Sequence, residues 1–289
     1  MKKHSLASKI LWISFAAMVL ASMVICIVAV LNEYEKAENY FLRDSALAPL
    51  SLILGIIAAV CGIAAVCATK RADLSDHVLP KNFNFPLTSI GFVFAAGVLI
   101  ISSASTLGRI SVPFLLVACV YCILTGTKLK ARQSLVAIVG FSTVLGSILL
   151  NAYYYFDFTV EMNAPIKVAL QMGLLMMMLC YTGELRYVLG IQKPKMYLIL
   201  SVLGITSTAF AGLPIIILNA TAKGSRPDYV ASAVLLLTFM LTQIARVIYL
   251  LRGIHTPEPT QENDIQADKP ILQEETTDAF INKEEGNEQ

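Results

Sequence analysis

Apolar residues gather into eight stretches, at 10–31, 46–68, 86–104, 110–126, 134–156, 165–189, 196–219 and 229–251, with short polar connections between them. Each is 17 to 25 residues long. A hydrocarbon core of ~30 Å takes roughly 20 residues of α-helix at 1.5 Å each, and every backbone polar group inside it must bond internally. The pattern therefore predicts an all-α integral membrane protein with eight transmembrane helices (spans 1 to 8). The first stretch follows the basic segment MKKHSLASKILW. It is too long for the apolar part of a cleaved leader, so it is expected to be retained as span 1. Pro86 and Pro165 stand where spans 3 and 6 begin, a place where a missing N–H costs nothing. Spans 3 and 4 are joined only by Ser105-Thr-Leu-Gly-Arg109, and span 4 is short for a crossing.

Charge orders the connections. The amino terminus, the connections after spans 2, 4, 6 and 8 and the span ends leading into them hold fourteen of the twenty Lys and Arg before residue 253; the opposite connections hold six. The positive-inside rule then predicts a plasma-membrane protein with both termini cytoplasmic. The overall charge of +2 conceals a division. Residues 1–252 carry 20 basic and 10 acidic side chains, whereas 253–289 carry 2 and 10. That second stretch is expected to be a disordered acidic cytoplasmic tail able to bind a cytoplasmic partner, because it lacks apolar surface to offset ordering. The lipid bilayer is the other partner implied. No basic patch interleaved with aromatics suggests nucleic acid.

The two halves, about 10–126 and 134–252, share short similarities. Tyr40-Phe and Ala48-Pro49 recur as Tyr155-Phe and Ala164-Pro165, and Phe94-Ala-Ala-Gly97 recurs as Ala209-Phe-Ala-Gly212. Four spans per half would give two parallel repeats about an axis along the membrane normal, pairing span 3 with span 7.

With 56% hydrophobic and 15% charged residues and a mean hydropathy of +0.69, no sizeable soluble core is available. The six cysteines all fall inside apolar stretches, where they read as small buried side chains. Met172, Met176, Met177, Met178 and Cys180 enrich span 6 in sulfur, and Cys119 and Cys122 share a helix face. Methionine is ordinary apolar filler in helices and the cysteine pair has no acid or histidine nearby, so no metal or other cofactor is expected. HExxH, a nucleophile elbow and a phosphate loop are missing, so an enzyme is not expected either.

Two sets of residues remain as candidates. Span 7 places Thr206, Ser207 and Thr208 near mid-membrane, just before Gly212 and the helix-interrupting Pro214. Thr88, Ser89 and Gly91 lie in span 3. Interrupted helices at matching positions of two repeats mark transporter sites, so these six residues are the expected lining of a solute path. The second set is a charge pair. Glu184 lies about 29 Å along span 6 from Pro165, and Arg246 about 26 Å along span 8 from Tyr229. Both reach the inner rim, where an unpaired charge is costly. Two functions stay open: a facilitative transporter or channel for a small solute, or a non-transporting membrane scaffold or regulatory subunit acting through its acidic tail.

Overall fold

The computed structural model describes residues 6–35, 39–70, 74, 87–102, 105–126, 132–191, 193–221 and 226–252. The acidic tail, 253–289, Pro86 and the basic residues Lys2, Lys3, Lys36, Arg71, Lys81, Lys128, Lys130 and Lys223 lie outside these. Nine helices and one small hairpin appear among the described residues: α1 (Leu6–Asn32), β1 (Tyr34–Glu35), β2 (Tyr40–Phe41), α2 (Leu47–Ala68), α3 (Leu87–Ser102), α4 (Thr106–Gly126), α5 (Gln133–Tyr155), α6 (Pro165–Val188), α7 (Pro194–Ala211), α8 (Leu213–Thr221) and α9 (Pro227–Leu251). Seven segments are long and apolar enough to cross a membrane, α7 and α8 together counting as one, and α3 is a shorter apolar helix. The chain is an all-helical multi-pass membrane protein.

Boundaries differ from expectation at two places. The fourth segment is not the short one, because the helix already begins at Thr106, on the residues expected to form a loop. Among the described residues it is α3 that covers less of a crossing, 16 residues rising about 24 Å. Span 7 is broken as its Gly-Leu-Pro sequence implies. Gly212 donates to the Thr208 carbonyl at 2.8 Å and closes α7, Pro214 has no amide hydrogen to offer, and Ile216 restarts the ladder on the Gly212 carbonyl.

The hairpin is an addition to the sequence reading. Tyr34 pairs with Phe41 and Glu35 with Tyr40, and Asn39, with φ at 59°, takes the left-handed conformation that the reversal needs. Its base anchors α2. The Glu33 carboxylate accepts from the Ser45 hydroxyl and, at 3.1 Å, from the amide of Leu47, so a negative charge caps the positive end of that helix.

Six helices close a ring in which each packs on the next: α3, α4, α5, α6, α7 and α9, with α9 returning to α3. The α1–α2 pair lies outside it, against α7 and α8. The face of α2 made by Gly55, Ala58, Gly62 and Ala65 is fully buried, and a Cβ on Gly62 would stand 2.5 Å from Val202 of α7. Small residues thus let backbones approach, as their spacing suggests. The ring is not a pore. Tyr181 from α6 fills its interior, its ring 6.1 Å from Phe92 (α3), 6.3 Å from Tyr121 (α4) and 5.7 Å from Phe239 (α9).

This order does not reproduce two equivalent halves. In the second half α6 packs on α7, but its counterpart α2 makes no comparable contact with α3. The expected equivalent of the close α3–α9 packing, between the α7–α8 segment and α4, is likewise missing from the main contacts. Nor is α3 interrupted at Gly97, the position matching Gly212. The short sequence similarities fall on helices used in different ways, and this packing lends the parallel-repeat expectation no support.

Candidate functional site

Three places among the described spans hold the candidate residues and the polar groups around them. The first is the α3–α9 seam. Thr88 and Thr242 hydroxyls meet at 2.6 Å and Gly91 makes room for Thr238 and Leu235, whereas Ser89, also buried, lies beside Cys119 of α4. These three residues of α3 are therefore helix-packing elements. They do not share a cavity with Thr206, Ser207 or Thr208, because α3 faces α9 and does not pack on α7. The structure therefore does not bring the six residues of the expected joint path together in one cavity.

The second place is a lateral groove of about 600 Å³. One wall is α2, from Ala48 to Ala59, and the other is α6, from Pro165 to Met176. Its floor is the α7–α8 break, with Thr206, Ser207, Phe210 and Pro214. The lining is mostly aliphatic, and Met172 and Met176 contribute their thioethers as apolar filler. Its hydroxyls are turned inward on their own helices. Ser51 donates to the Ala48 carbonyl at 2.7 Å, Thr206 to Val202 at 2.9 Å and Ser207 to Gly204 at 3.1 Å. Thr208 bonds Gly204 in the same manner and is fully buried. Such back-bonding consumes the only proton each hydroxyl has, leaving lone pairs alone for any occupant.

The third place is a buried polar cluster near the helix ends on the side of the amino terminus. Arg246 of α9 forms an ion pair with Glu184 of α6, and both side chains are at least 96% buried. Glu184 Oε1 also accepts from the Tyr197 hydroxyl at 3.2 Å and from Gln243 Nε2 at 3.3 Å. Its Oε2 accepts from the Tyr121 hydroxyl at 3.4 Å. The Tyr197 oxygen receives Arg246 Nη1 at 3.2 Å and lies 3.1 Å from Gln243 Oε1, which also accepts from Ser201 at 3.0 Å. One phenolic proton thus has two acceptors, Glu184 and Gln243, and serves one at a time. Four helices are joined: α4 by Tyr121, α6 by Glu184, α7 by Tyr197 and Ser201, α9 by Gln243 and Arg246. Because α4 and α6 are not ring neighbours, Tyr121 reaches Glu184 across the interior.

Sequence spacing places Glu184 and Arg246 at one depth, but it does not reveal Tyr121, Tyr197, Ser201 or Gln243. A signal was available. Tyr197 and Ser201 stand four apart on α7, and Gln243 and Arg246 three apart on α9, so each pair shares a helix face.

At the opposite end, the α5–α6 connection is pinned to the start of α9. Arg226 contacts Asp157 at 2.8 Å and Asp228 at 3.4 Å, and its guanidinium lies 4.5 Å above the Tyr229 ring. Burial alone would raise the Asp157 carboxyl. Hydrogen bonds from the Thr159 side chain and amide, with Arg226 beside them, more than offset this and hold it below the usual 3.8. Lys167 turns its ammonium back to the Asp157 and Val160 carbonyls at 2.6 and 3.2 Å. These contacts fasten the loop to the start of α9.

Among the described residues no group of three or more His, Cys, Asp or Glu could hold a metal ion, and the six cysteines are free. Comparison with family models, with curated proteins and with solved structures finds no match to this chain.

Proposed function

We propose that this multi-pass membrane protein handles lipid: its lateral groove receives the hydrocarbon chain of an amphiphile from the surrounding bilayer. The observation that carries this reading is the groove itself, about 600 Å³ of mainly aliphatic lining between α2 and α6. With eight crossings and cytoplasmic termini, as the Lys and Arg bias indicates, the groove lies in the outer leaflet. Its walls on α2 and α6 each cover about 16 Å, close to half of a ~30 Å hydrocarbon core. A void of that size in a packed apolar body forfeits dispersion contacts, and a flexible chain restores them.

Passage of a small polar solute has less support. The six residues expected to line its path stand on two unconnected faces, and aromatic side chains fill the ring. The scaffold reading keeps one independent support, the acidic composition of residues 253–289, and is compatible with a lipid-binding body. The test is lipid retention. Protein extracted gently and examined by native mass spectrometry should carry one acyl lipid per chain. Ala59→Trp and Ala169→Trp, which each push an indole into the groove, should lose it while keeping the wild-type elution profile. Equal retention in all three proteins would refute the reading.

A further inference from the structure

The turn from α6 to α7 gathers positive charge that the fold does not neutralise. Arg186 lies in the last turn of α6, Lys193 immediately precedes α7 and Lys195 stands in its first turn. Glu184 is the only acid between residues 180 and 200, and it is paired with Arg246. The ion pairs among the described residues include none of the three cations. Arg186 instead rests one guanidinium nitrogen on the Met196 sulfur at 3.7 Å, and a thioether is a weak acceptor. The side-chain amide of Gln133 donates to the Val188 carbonyl, which brings Arg132, the residue before α5, to the same rim.

Two of these cations share a recess. A depression of about 10 Å³ opens between α6 and α7, with Arg186, Ile191, Lys193 and Met196 in its wall. It has room for one water-sized group, such as a single phosphate oxygen. Tyr197 also lines it and donates to Glu184 of α6 at 3.2 Å, so the two helices that carry the cations are tied together there. The surroundings are apolar and face outward: Leu189 is 59% exposed, Ile191 47% and Met196 44%. Arg186 stands about 32 Å along α6 from Pro165, one hydrocarbon thickness. Apolar side chains at that depth enter lipid, and the cations beside them meet headgroups. We propose that Arg186 and Lys193 bind the phosphate of an anionic phospholipid in the leaflet on the amino-terminal side, with Lys195 and Arg132 adding to the field. A guanidinium offers a planar fork that matches two phosphate oxygens, and an ammonium adds a point charge. The site lies at the other end of α6 from the groove and does not rest on the groove reading.

Brominated lipids quench tryptophan on contact, and the chain has a single tryptophan, Trp12. Full-length protein with Leu189→Trp in a Trp12→Phe background reports from beside the recess. It is reconstituted into mixed phosphatidylglycerol and phosphatidylcholine vesicles with one lipid or the other brominated. The wild type reports from Trp12, which bonds Thr69 next to Lys70, and serves as the reference for ordinary lipid near a cation. The preference for phosphatidylglycerol at position 189 should exceed that at Trp12 by about fivefold, the worth of roughly one charge near an anionic surface. Arg186 and Lys193 are both exposed, so Arg186→Gln with Lys193→Gln should elute as wild type and bring the preference down to the Trp12 level. Excess soluble glycerol phosphate should leave it unchanged. Equal preference at the two reporters would show cations that serve orientation alone and would overturn the site. A preference that survives the double substitution would overturn the roles of Arg186 and Lys193. Its loss to glycerol phosphate would show a site for a soluble phosphate and overturn the lipid assignment.

Discussion

The ion pair between Glu184 and Arg246 offers the sharpest energetic test of this fold. In Glu184→Gln the guanidinium of Arg246 stays 3% exposed with its carboxylate gone. A guanidinium cannot shed its charge, so removing one partner of a buried pair should cost about 3–5 kcal/mol. Arg246→Gln leaves the carboxylate with three neutral donors, from Tyr197, Gln243 and Tyr121, and a carboxyl can also neutralise itself by binding a proton. Its cost should be smaller, about 1–3 kcal/mol. With both replaced by Gln no uncompensated charge remains, so the double variant should cost less than the sum by about 1–3 kcal/mol. The measurement is a double-mutant cycle on detergent-solubilised protein, using thermal unfolding followed by size exclusion. At roughly 2–4 °C per kcal/mol for a chain this size, Glu184→Gln should lower the midpoint by about 6–20 °C. Additive losses, or a milder effect of Glu184→Gln than of Arg246→Gln, would refute the argument.

Three further outcomes follow from other parts of the molecule. A spin label on Ser207→Cys, in a background without native cysteines, should be relaxed by oxygen and not by a water-soluble nickel chelate; relaxation by nickel would make the groove aqueous and revive the solute path. Asp157 has its carboxyl held below the ordinary value, so its contribution is present above about pH 3.8 and is lost as pH falls through the lower folded value. Asp157→Asn should accordingly flatten the acid limb of a melting-temperature profile below about pH 4, and an unchanged limb would contradict the loop contacts described. Gly62→Leu should prevent α2 from closing on α7, because Val202 stands 2.5 Å from the position of a Cβ there and Phe15 2.8 Å, and it should be lost at expression or aggregate; a well-folded Gly62→Leu would show that the α1–α2 pair docks otherwise.

How much of this was legible beforehand depended on the kind of signal. Helix existence was, because apolar length is nearly all that a crossing needs, and Pro214 after Gly212 announced the break in span 7. The start of α4 was not. Arg109 reads as a loop residue by its charge, yet it lies in the first turn of a helix, where a long side chain can reach the interface. The depth match of Glu184 and Arg246 came from simple rise per residue. Their neighbours stayed hidden because Tyr and Gln carry no formal charge to draw attention in an apolar span, and because nothing local says that α4 faces α6 across a ring. The repeat expectation lacks support for a related reason. Short Ala, Gly and Phe strings record close packing, but a Cβ added at Gly97 would meet nothing within 4 Å, whereas one at Gly212 would stand 3.2 Å from the Thr208 carbonyl and 3.3 Å from Leu237, so like sequences occupy unlike surroundings.

The break between α7 and α8 carries a mechanical consequence. Gly212 ends one run of backbone bonds and Pro214 cannot supply a ladder bond to the next, so the two segments meet at a point and do not form one continuous rod. α8 rests on α9 and α1, whereas α7 belongs to the six-helix ring. A tilt of α8 about Gly212 would therefore reshape the floor of the groove, where Phe210 and Pro214 stand, and leave the Glu184–Arg246 pair undisturbed.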